Sequence, residues 1–262
     1  GGVWAWDGEE AGLYRLDGEF FAMLSELGLD FSDDGEHINI SDPGAGRPDS
    51  DHACLEASEQ PAVQVTLRIP VSPAMADSKT DLGTVAKVGL ALDGVPVFAD
   101  APSVLDTGHL PALDVCGGHI DPGGWYHWHA TSTDVESVFD NLNVDADCGL
   151  LQSASTLFAF AFDGYAMYGH EDIDGSIPGD LDECNGHVGV TEQSTEGEYH
   201  YHSTSQFPNL PPCLSGVQAQ DNFSTTSAMG IGSANVGAGG PGGGGGRGRP
   251  DTAAMAESLG VT

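Results

Sequence analysis

The chain has 262 residues, 39% of them hydrophobic, enough to bury the core of one large domain or of two closely packed halves. Its 40 acidic residues against 7 basic ones leave a formal net charge of −33 at pH 7, which excludes nucleic acid and anionic lipid as partners, because both are held by Lys and Arg. The same acidity fits solubility in a saline habitat or attraction of calcium, and without a run of 18 apolar residues no membrane insertion is predicted.

Residues 1–60 form a first segment. It opens on "GGVWAWDGEE" with neither Met nor a signal peptide, so it is read as a processed mature form or as a chain without its leader, and export is expected. In "EFFAMLSELGLDF" (19–31), Phe20, Phe21, Leu24 and Leu27 recur at helical spacing and predict a short helix that turns them into a core. The acidic stretch "SDDGEHINISDPGAGRPDSDH" is rich in turn formers and reads as a loop, with His37 and His52 solvated.

Residues 61–218 look strand-rich. "AVQVTLRIPV" (62–71) alternates cleanly, and Gly or Pro turns follow at short intervals, the pattern of a β-sandwich or barrel-like fold with few short helices. Within this zone the sequence repeats itself. "VGLALDGVPVF" (88–98) corresponds to "FAFAFDGYAMY" (158–168), each an apolar run broken by Asp-Gly, which predicts a β-hairpin with a tight turn. "DVCGGHIDPGGWYHWHAT" (114–131) then corresponds to "DECNGHVGVTEQSTEGEYHYHST" (182–204). Asp93 matches Asp163, Cys116 matches Cys184, and His119, His127 and His129 match His187, His200 and His202. The domain is therefore a duplicated unit with pseudo-twofold repeats at about 85–148 and 155–216.

A strand sends alternate side chains to opposite faces, so each His-x-His pair points two imidazoles the same way, with Cα atoms within about 7 Å. With His119 or His187 added from a Gly-containing turn, each copy offers three neutral nitrogens and an open fourth position. That donor set suits copper or zinc, whereas Mg and Ca prefer oxygen. The plain alternative is a set of solvated or hydrogen-bonded histidines. The sequence leaves open whether each copy forms its own site or the two pool ligands across the pseudo-twofold axis.

Other residues in this zone have competing readings. His170 interrupts the symmetry between the copies and is an extra ligand, a proton carrier or a structural histidine, while His109 is expected to be solvated. In "HEDIDGSIPGDLDE" (170–183), Asp172, Asp174, Asp180 and Asp182 crowd one loop and form a calcium candidate without EF-hand spacing; the alternative is a solvated acidic turn. Trp125, Tyr126, Trp128, Tyr199 and Tyr201 are expected to pack a core opposite the histidines, with a carbohydrate platform or a redox-active tyrosine as alternatives.

Cys116, Cys148, Cys184 and Cys213 flank the histidine clusters in parallel order, with Cys54 left over. Disulfides suit an exported chain, either 116 to 148 with 184 to 213 or one bridge crossing between copies; the competing reading makes Cys116 and Cys184 thiolate ligands. From residue 219 onward the chain turns rich in Ser, Thr and Gly. "GAGGPGGGGGRGRP" reads as a flexible linker and "PDTAAMAESLGVT" as one short helix.

The stretches "CGGHIDPGGWYHWH", "FAFDGYAMYGH", "LDECNGH" and "GEYHYHSTSQFPNLPPCLSG" resemble the YHYH-domain proteins, a family of bacterial secreted and surface proteins, over roughly residues 62–218. Two departures leave the histidines intact. The first copy reads YHWH, and an acidic insertion, "STDVESVFDNLNVDAD", precedes Cys148. The resemblance implies a secreted, periplasmic or cell-surface location and strengthens the histidine site without assigning it a reaction.

Three function classes follow. The favoured one is an exported metal-binding protein that holds copper or zinc. A metallo-oxidoreductase or metallohydrolase would use the open coordination position, but HExxH and a blue-copper set of Cys and Met are both missing, and Glu198, Asp182 and Glu183 are the nearest carboxylates in sequence. The third is a self-assembling subunit of a surface layer or filament with structural metal ions.

Overall fold

The computed structural model describes residues 2–43, 50–82, 87–99, 103–114, 116–131, 153–205 and 208–233. Strands β1 (Val3–Trp6) and β2 (Gly12–Arg15) form an antiparallel ribbon that leads into helix α1 (Gly18–Glu26). Asp17 caps that helix by accepting the amides of Glu19 and Phe20, and Gly28 ends it with φ +82°. Phe20 and Leu24 are buried as the spacing predicts. Leu27 is not: the helix stops one residue before it, and it stands 54% exposed.

Strands β3 (Ile40–Ser41) and β4 (Ala53–Leu55) build a small parallel sheet that β9 (His109–Leu110) completes. Strand β5 (Val65–Leu67) falls within the predicted alternating run, and β6 (Met75–Asp81) follows it. The first copy comprises β7 (Lys87–Ala91), β8 (Pro96–Phe98), a short helix α2 (Val104–Thr107), β9 (His109–Leu110), β10 (Gly118–Ile120) and β11 (Tyr126–Trp128). The second comprises β12 (Leu157–Ala161), β13 (Ala166–Tyr168), β14 (Gly186–Gly189) and β15 (Glu198–His202). Strand β16 (Cys213–Gly216) pairs with β6, and β17 (Phe223–Thr225) pairs with β5, so the folded domain continues past residue 218.

The two copies share one eight-stranded sheet, ordered β10-β11-β8-β7-β12-β13-β15-β14. Read from either end the order is the same sequence of equivalent strands. The copies meet where β7 runs antiparallel to β12, with Gly89 opposite Ala161, Leu90 opposite Phe160 and Ala91 opposite Ala159. Leu90 and Phe160 are equivalent positions, so the pseudo-twofold axis passes between them. Among the described residues the duplication thus forms one open β sheet, and not a barrel closed on itself.

Each hairpin turns at its Asp-Gly. Gly94 and Gly164 adopt φ +90° and +91°, and the amides of Val95 and Tyr165 bond to the preceding Asp93 and Asp163 carboxylates. Val88, Phe98, Phe158, Phe162, Met167, Tyr201 and Leu214 build the larger core. A smaller core joins Trp4, Trp6, Phe20 and Leu24 to Leu110, Leu113 and Ala130 of the first copy. No helix among the described residues is long and apolar enough to cross a membrane.

Cys184 and Cys213 form a disulfide that ties the loop before β14 to β16. Cys116 is also disulfide-bonded, whereas Cys148, the predicted linker and the predicted terminal helix lie outside the described residues. Both Cys116 and Cys184 are thereby removed as thiolate ligands. Cys54 is free, and burial pushes its thiol up to about 11, which keeps it inert at neutral pH. The bridge closes a loop with a sequence separation of 29; Cys184→Ser is expected to cost about 3–4 kcal/mol by chain entropy, which denaturant unfolding would measure.

Candidate metal centres

The turn before each histidine strand is held by the aspartate that opens the repeated motif. Asp114 Oδ1 accepts the amides of Cys116 at 2.8 Å and Gly118 at 3.2 Å, and its carboxylate takes the Tyr126 hydroxyl at 2.9 Å. Asp182 repeats every bond, with Cys184 at 2.8 Å, Gly186 at 3.1 Å and Tyr199 at 2.9 Å. Between Cys and Gly stands a residue of positive φ, Gly117 at +85° and Asn185 at +61°. Its carbonyl accepts the amide of the last histidine, His129 or His202, at 2.8 Å in both copies. A Cβ at Gly118 would overlap the His127 carbonyl and the Tyr126 hydroxyl, and one at Gly186 would push the Tyr199 hydroxyl from its place on Asp182. The motif Asp-x-Cys-x-Gly-His is therefore a frame that delivers its histidine to the neighbouring strand.

Across that strand pair, His119 lies in register with His127, and His187 with His200. The third imidazole comes from two residues further along β15 or just past β11. In the second copy the three Nε2 atoms approach one another at 3.1 Å (His187 to His200), 2.9 Å (His200 to His202) and 3.2 Å (His202 to His187). In the first copy His127 Nε2 lies 3.0 Å from that of His119 and 2.9 Å from that of His129. His127, His129, His200 and His202 are all buried to within 2% of full burial.

The opposite ring nitrogens decide what those contacts mean. His200 Nδ1 donates to the Glu198 carbonyl at 3.0 Å, His202 Nδ1 to that of Gly169 at 2.6 Å, and His187 Nδ1 to the Asp180 carboxylate at 2.8 Å. Acceptors of this kind fix the proton on Nδ1. With the proton on Nδ1, each ring turns a bare Nε2 lone pair toward the other two, a mutually repulsive arrangement that a cation at the centre would relieve. The three nitrogens lie on a circle of about 1.8 Å radius, so an ion about 2.0 Å from each would sit about 1 Å off their plane. In the first copy His119 Nδ1 donates to the Pro111 carbonyl at 3.1 Å and His129 Nδ1 to that of Ala99 at 2.5 Å, while His127 Nδ1 is buried without a hydrogen-bond partner.

The six histidines thus form two separate groups of three. Strands β11 and β15 are five steps apart in the sheet, about 24 Å along it, which excludes a pooled site. Asp172 joins the second group, its Oδ1 3.3 Å from His187 Nε2 and 3.6 Å from His202 Nε2.

The other three members of the calcium candidate are dispersed. Asp174 bonds within its own turn to Ser176, Asp180 accepts from His187, and Asp182 serves the frame and pairs with Lys79 at 2.9 Å. Among the described residues the four carboxylates form no common group. His170 is half-buried and belongs to neither triad, and His109 is half-buried in β9. His37 is exposed and pairs with Asp34, and His52 lies beside Phe31.

Trp125, Trp128 and Tyr201 are buried in the larger core and Tyr126 and Tyr199 pack against it, but Trp125 shares the histidine face, its ring 5.0 Å from that of His127 between centroids. The YHWH variation coincides with a difference in local partners. The Tyr201 hydroxyl donates to the buried Asp163 at 2.6 Å and accepts the Ser215 amide, whereas the equivalent Asp93 is exposed and the Trp128 indole nitrogen has no hydrogen-bond partner among the described residues. The link between Asp172 and the triad, and that between Asp180 and His187, were not legible as parts of a histidine site, because neither position has a counterpart in the matched repeat motifs.

Burial dominates the ring electrostatics. It lowers His119 and His202 to about 4, against the opposing carbonyl bonds from Pro111 and Gly169. Burial also depresses His200, and holds His127 and His129 well below 6.5 with help from the neighbouring rings. In the metal-free protein the unfolded rings take up protons near 6.5 while the folded His119 and His202 wait until about 4. The unfolded state binds more protons in that window, so stability falls as pH drops through it. Buried Asp121, raised to about 7, and Asp163, also raised, act in the opposite sense but are outnumbered by five rings. Metal-free protein is expected to lose Tm on acidification from pH 6.5 to 4, with His119 and His202 titrating near 4 by NMR.

No curated protein and no solved structure matches the chain. The YHYH protein family model matches residues 66–176 and again 171–216, spanning the shared sheet, both motif frames and all six histidines. Over more than half its length, the chain belongs to the YHYH protein family.

Proposed function

We propose that this is an exported metal-binding protein in which each copy of the repeat holds one transition-metal ion, copper or zinc, through three imidazole Nε2 atoms. One observation carries the reading. In the second copy all three Nδ1 protons are committed to oxygen acceptors, and three bare lone pairs converge at 2.9–3.2 Å. A proton shared between rings would compete for the same space, but burial disfavours imidazolium there. A soft-to-borderline cation satisfies nitrogen donors without that cost.

The disulfide supports export, since such bonds persist in oxidising compartments. The charge of −33 supports cation capture, because an acidic surface raises the local concentration of positive ions. Elemental analysis of the full chain is expected to find two copper or zinc ions, one after either His129→Ala or His202→Ala, and none in the double variant. Unchanged metal content in both single variants would overturn the reading. Turnover of a chromogenic ester or phenol by the metal-loaded form alone would make the protein an enzyme, and chelator-sensitive fibres under the electron microscope would make the ions structural.

A further inference from the structure

The two triads differ in the charge that surrounds them. In the first copy His119 Nδ1 donates to a neutral carbonyl, that of Pro111. The equivalent His187 donates to the carboxylate of Asp180, and Asp172 adds a second carboxylate beside the Nε2 atoms. Resting on the metal-binding reading above, we propose that Asp172 is the fourth ligand of the second site, completing a tetrahedral three-histidine, one-aspartate centre that selects divalent zinc over monovalent copper.

Distance supports the first half. Ligand atoms about 2.0 Å from a tetrahedral ion stand about 3.3 Å apart. The Nε2 atoms are spaced at 2.9–3.2 Å, and Asp172 Oδ1 stands 3.3 and 3.6 Å from two of them. Five of the six edges therefore lie within about 0.4 Å of the tetrahedral spacing, and the sixth, from Asp172 to His200, is no longer than 4.8 Å, so a small turn of the carboxylate toward His200 closes the tetrahedron. The backbone that carries the carboxylate is held by its own loop. The Asp172 amide donates to the Ser176 carbonyl at 2.8 Å, the Asp172 main-chain carbonyl accepts the Gly175 amide at 2.9 Å, and Glu171 N–H bonds to the Ala154 carbonyl at 2.7 Å. Gly175 makes the turn with φ +82°. A ligand on a backbone so fixed has only its side-chain rotamer left to settle when the ion arrives.

Charge supports the second half. Three imidazoles leave a dication with its full +2 in a mostly buried pocket, where uncompensated charge is costly. Asp172 supplies one negative charge directly, and Asp180 supplies another through the His187 ring, the outer-shell arrangement that orients a ligating histidine and raises its basicity. Carboxylate oxygen is a hard donor that suits Zn²⁺ and gives Cu⁺ little. A small cavity beside His200 and His202 is lined by Glu171, Asp172 and Glu192 together with Tyr168, Ile173 and Val190, so a cation there meets acidic side chains.

The test uses the full chain carrying His129→Ala, so that only the second site is read. Zinc affinity is measured by competition with a chromophoric chelator, Cu⁺ affinity by competition with a Cu⁺-specific chelator, and geometry by the visible bands of bound Co²⁺. Adding Asp172→Asn is expected to weaken Zn²⁺ by at least about 100-fold, to change Cu⁺ by less than about 3-fold, and to shift the Co²⁺ bands away from the tetrahedral pattern. Asp180→Asn is expected to weaken Zn²⁺ by about 10-fold, at the low end for an outer-shell partner, with the tetrahedral bands kept. Circular dichroism confirms that each variant folds. Unchanged Zn²⁺ affinity and Co²⁺ bands in Asp172→Asn, or equal losses for Zn²⁺ and Cu⁺, would overturn this proposal alone, provided His202→Ala abolishes binding. Absence of any binding by the His129→Ala chain would overturn the metal-binding reading with it.

Discussion

The arrangement of this protein depends on where the Nδ1 protons of its clustered histidines go, five of which meet an oxygen acceptor. A neutral imidazole has one donor and one acceptor, and an acceptor at Nδ1 compels the lone pair to Nε2. In the second copy Glu198, Gly169 and Asp180 take all three protons. The lone pairs therefore face one another inside a buried pocket, and burial also resists the protonation that would relieve them. Much of the local architecture serves to hold that otherwise unfavourable convergence in place.

The frame explains why so many residues recur around the histidines. One aspartate receives two amides and a tyrosine hydroxyl, one residue of positive φ bonds to the amide of the last histidine, and one glycine makes room for the tyrosine ring. Removing any part would release the turn that sets the first histidine opposite the second. The tyrosines of the motif thus act from behind the site, on the far face of the strand, where they bond to the frame and to the core. Their alternation with histidine follows from the pleat: one face holds the ligand candidates and the other holds the strand down.

Duplication supplies the scaffold. Each half contributes four strands, and neither has a complete sheet until β7 meets β12 at the Leu90 and Phe160 pair. The join is central, so the two histidine groups end near opposite edges, about five strand spacings apart. Each group keeps its own environment and has been free to diverge. Phe98 and Trp125 border the first, while Tyr168 and the acidic loop border the second.

Much was legible in the sequence because it depends on local rules. The mainly β class, the Asp-Gly hairpins, the internal repeat and the three-plus-three set of histidines follow from period-two alternation, turn chemistry and self-similarity, all of which act over a few residues or between aligned copies. Helix α1 was legible for the same reason, although its end was not: Gly28 stops it before Leu27 can reach the core. What the tertiary structure alone decided concerns pairs distant in the chain. The separation of the triads required knowing that β7 joins β12. The partnership of Cys184 with Cys213 required their spatial approach, and so did the extension of the domain to β17. Asp172 read as one of four carboxylates in an acidic loop, and only the folding of that loop over His187 and His202 set it apart from Asp174, Asp180 and Asp182. A sequence records which donors a chain carries, whereas a coordination shell is defined by angles and distances that exist only once the strands have paired.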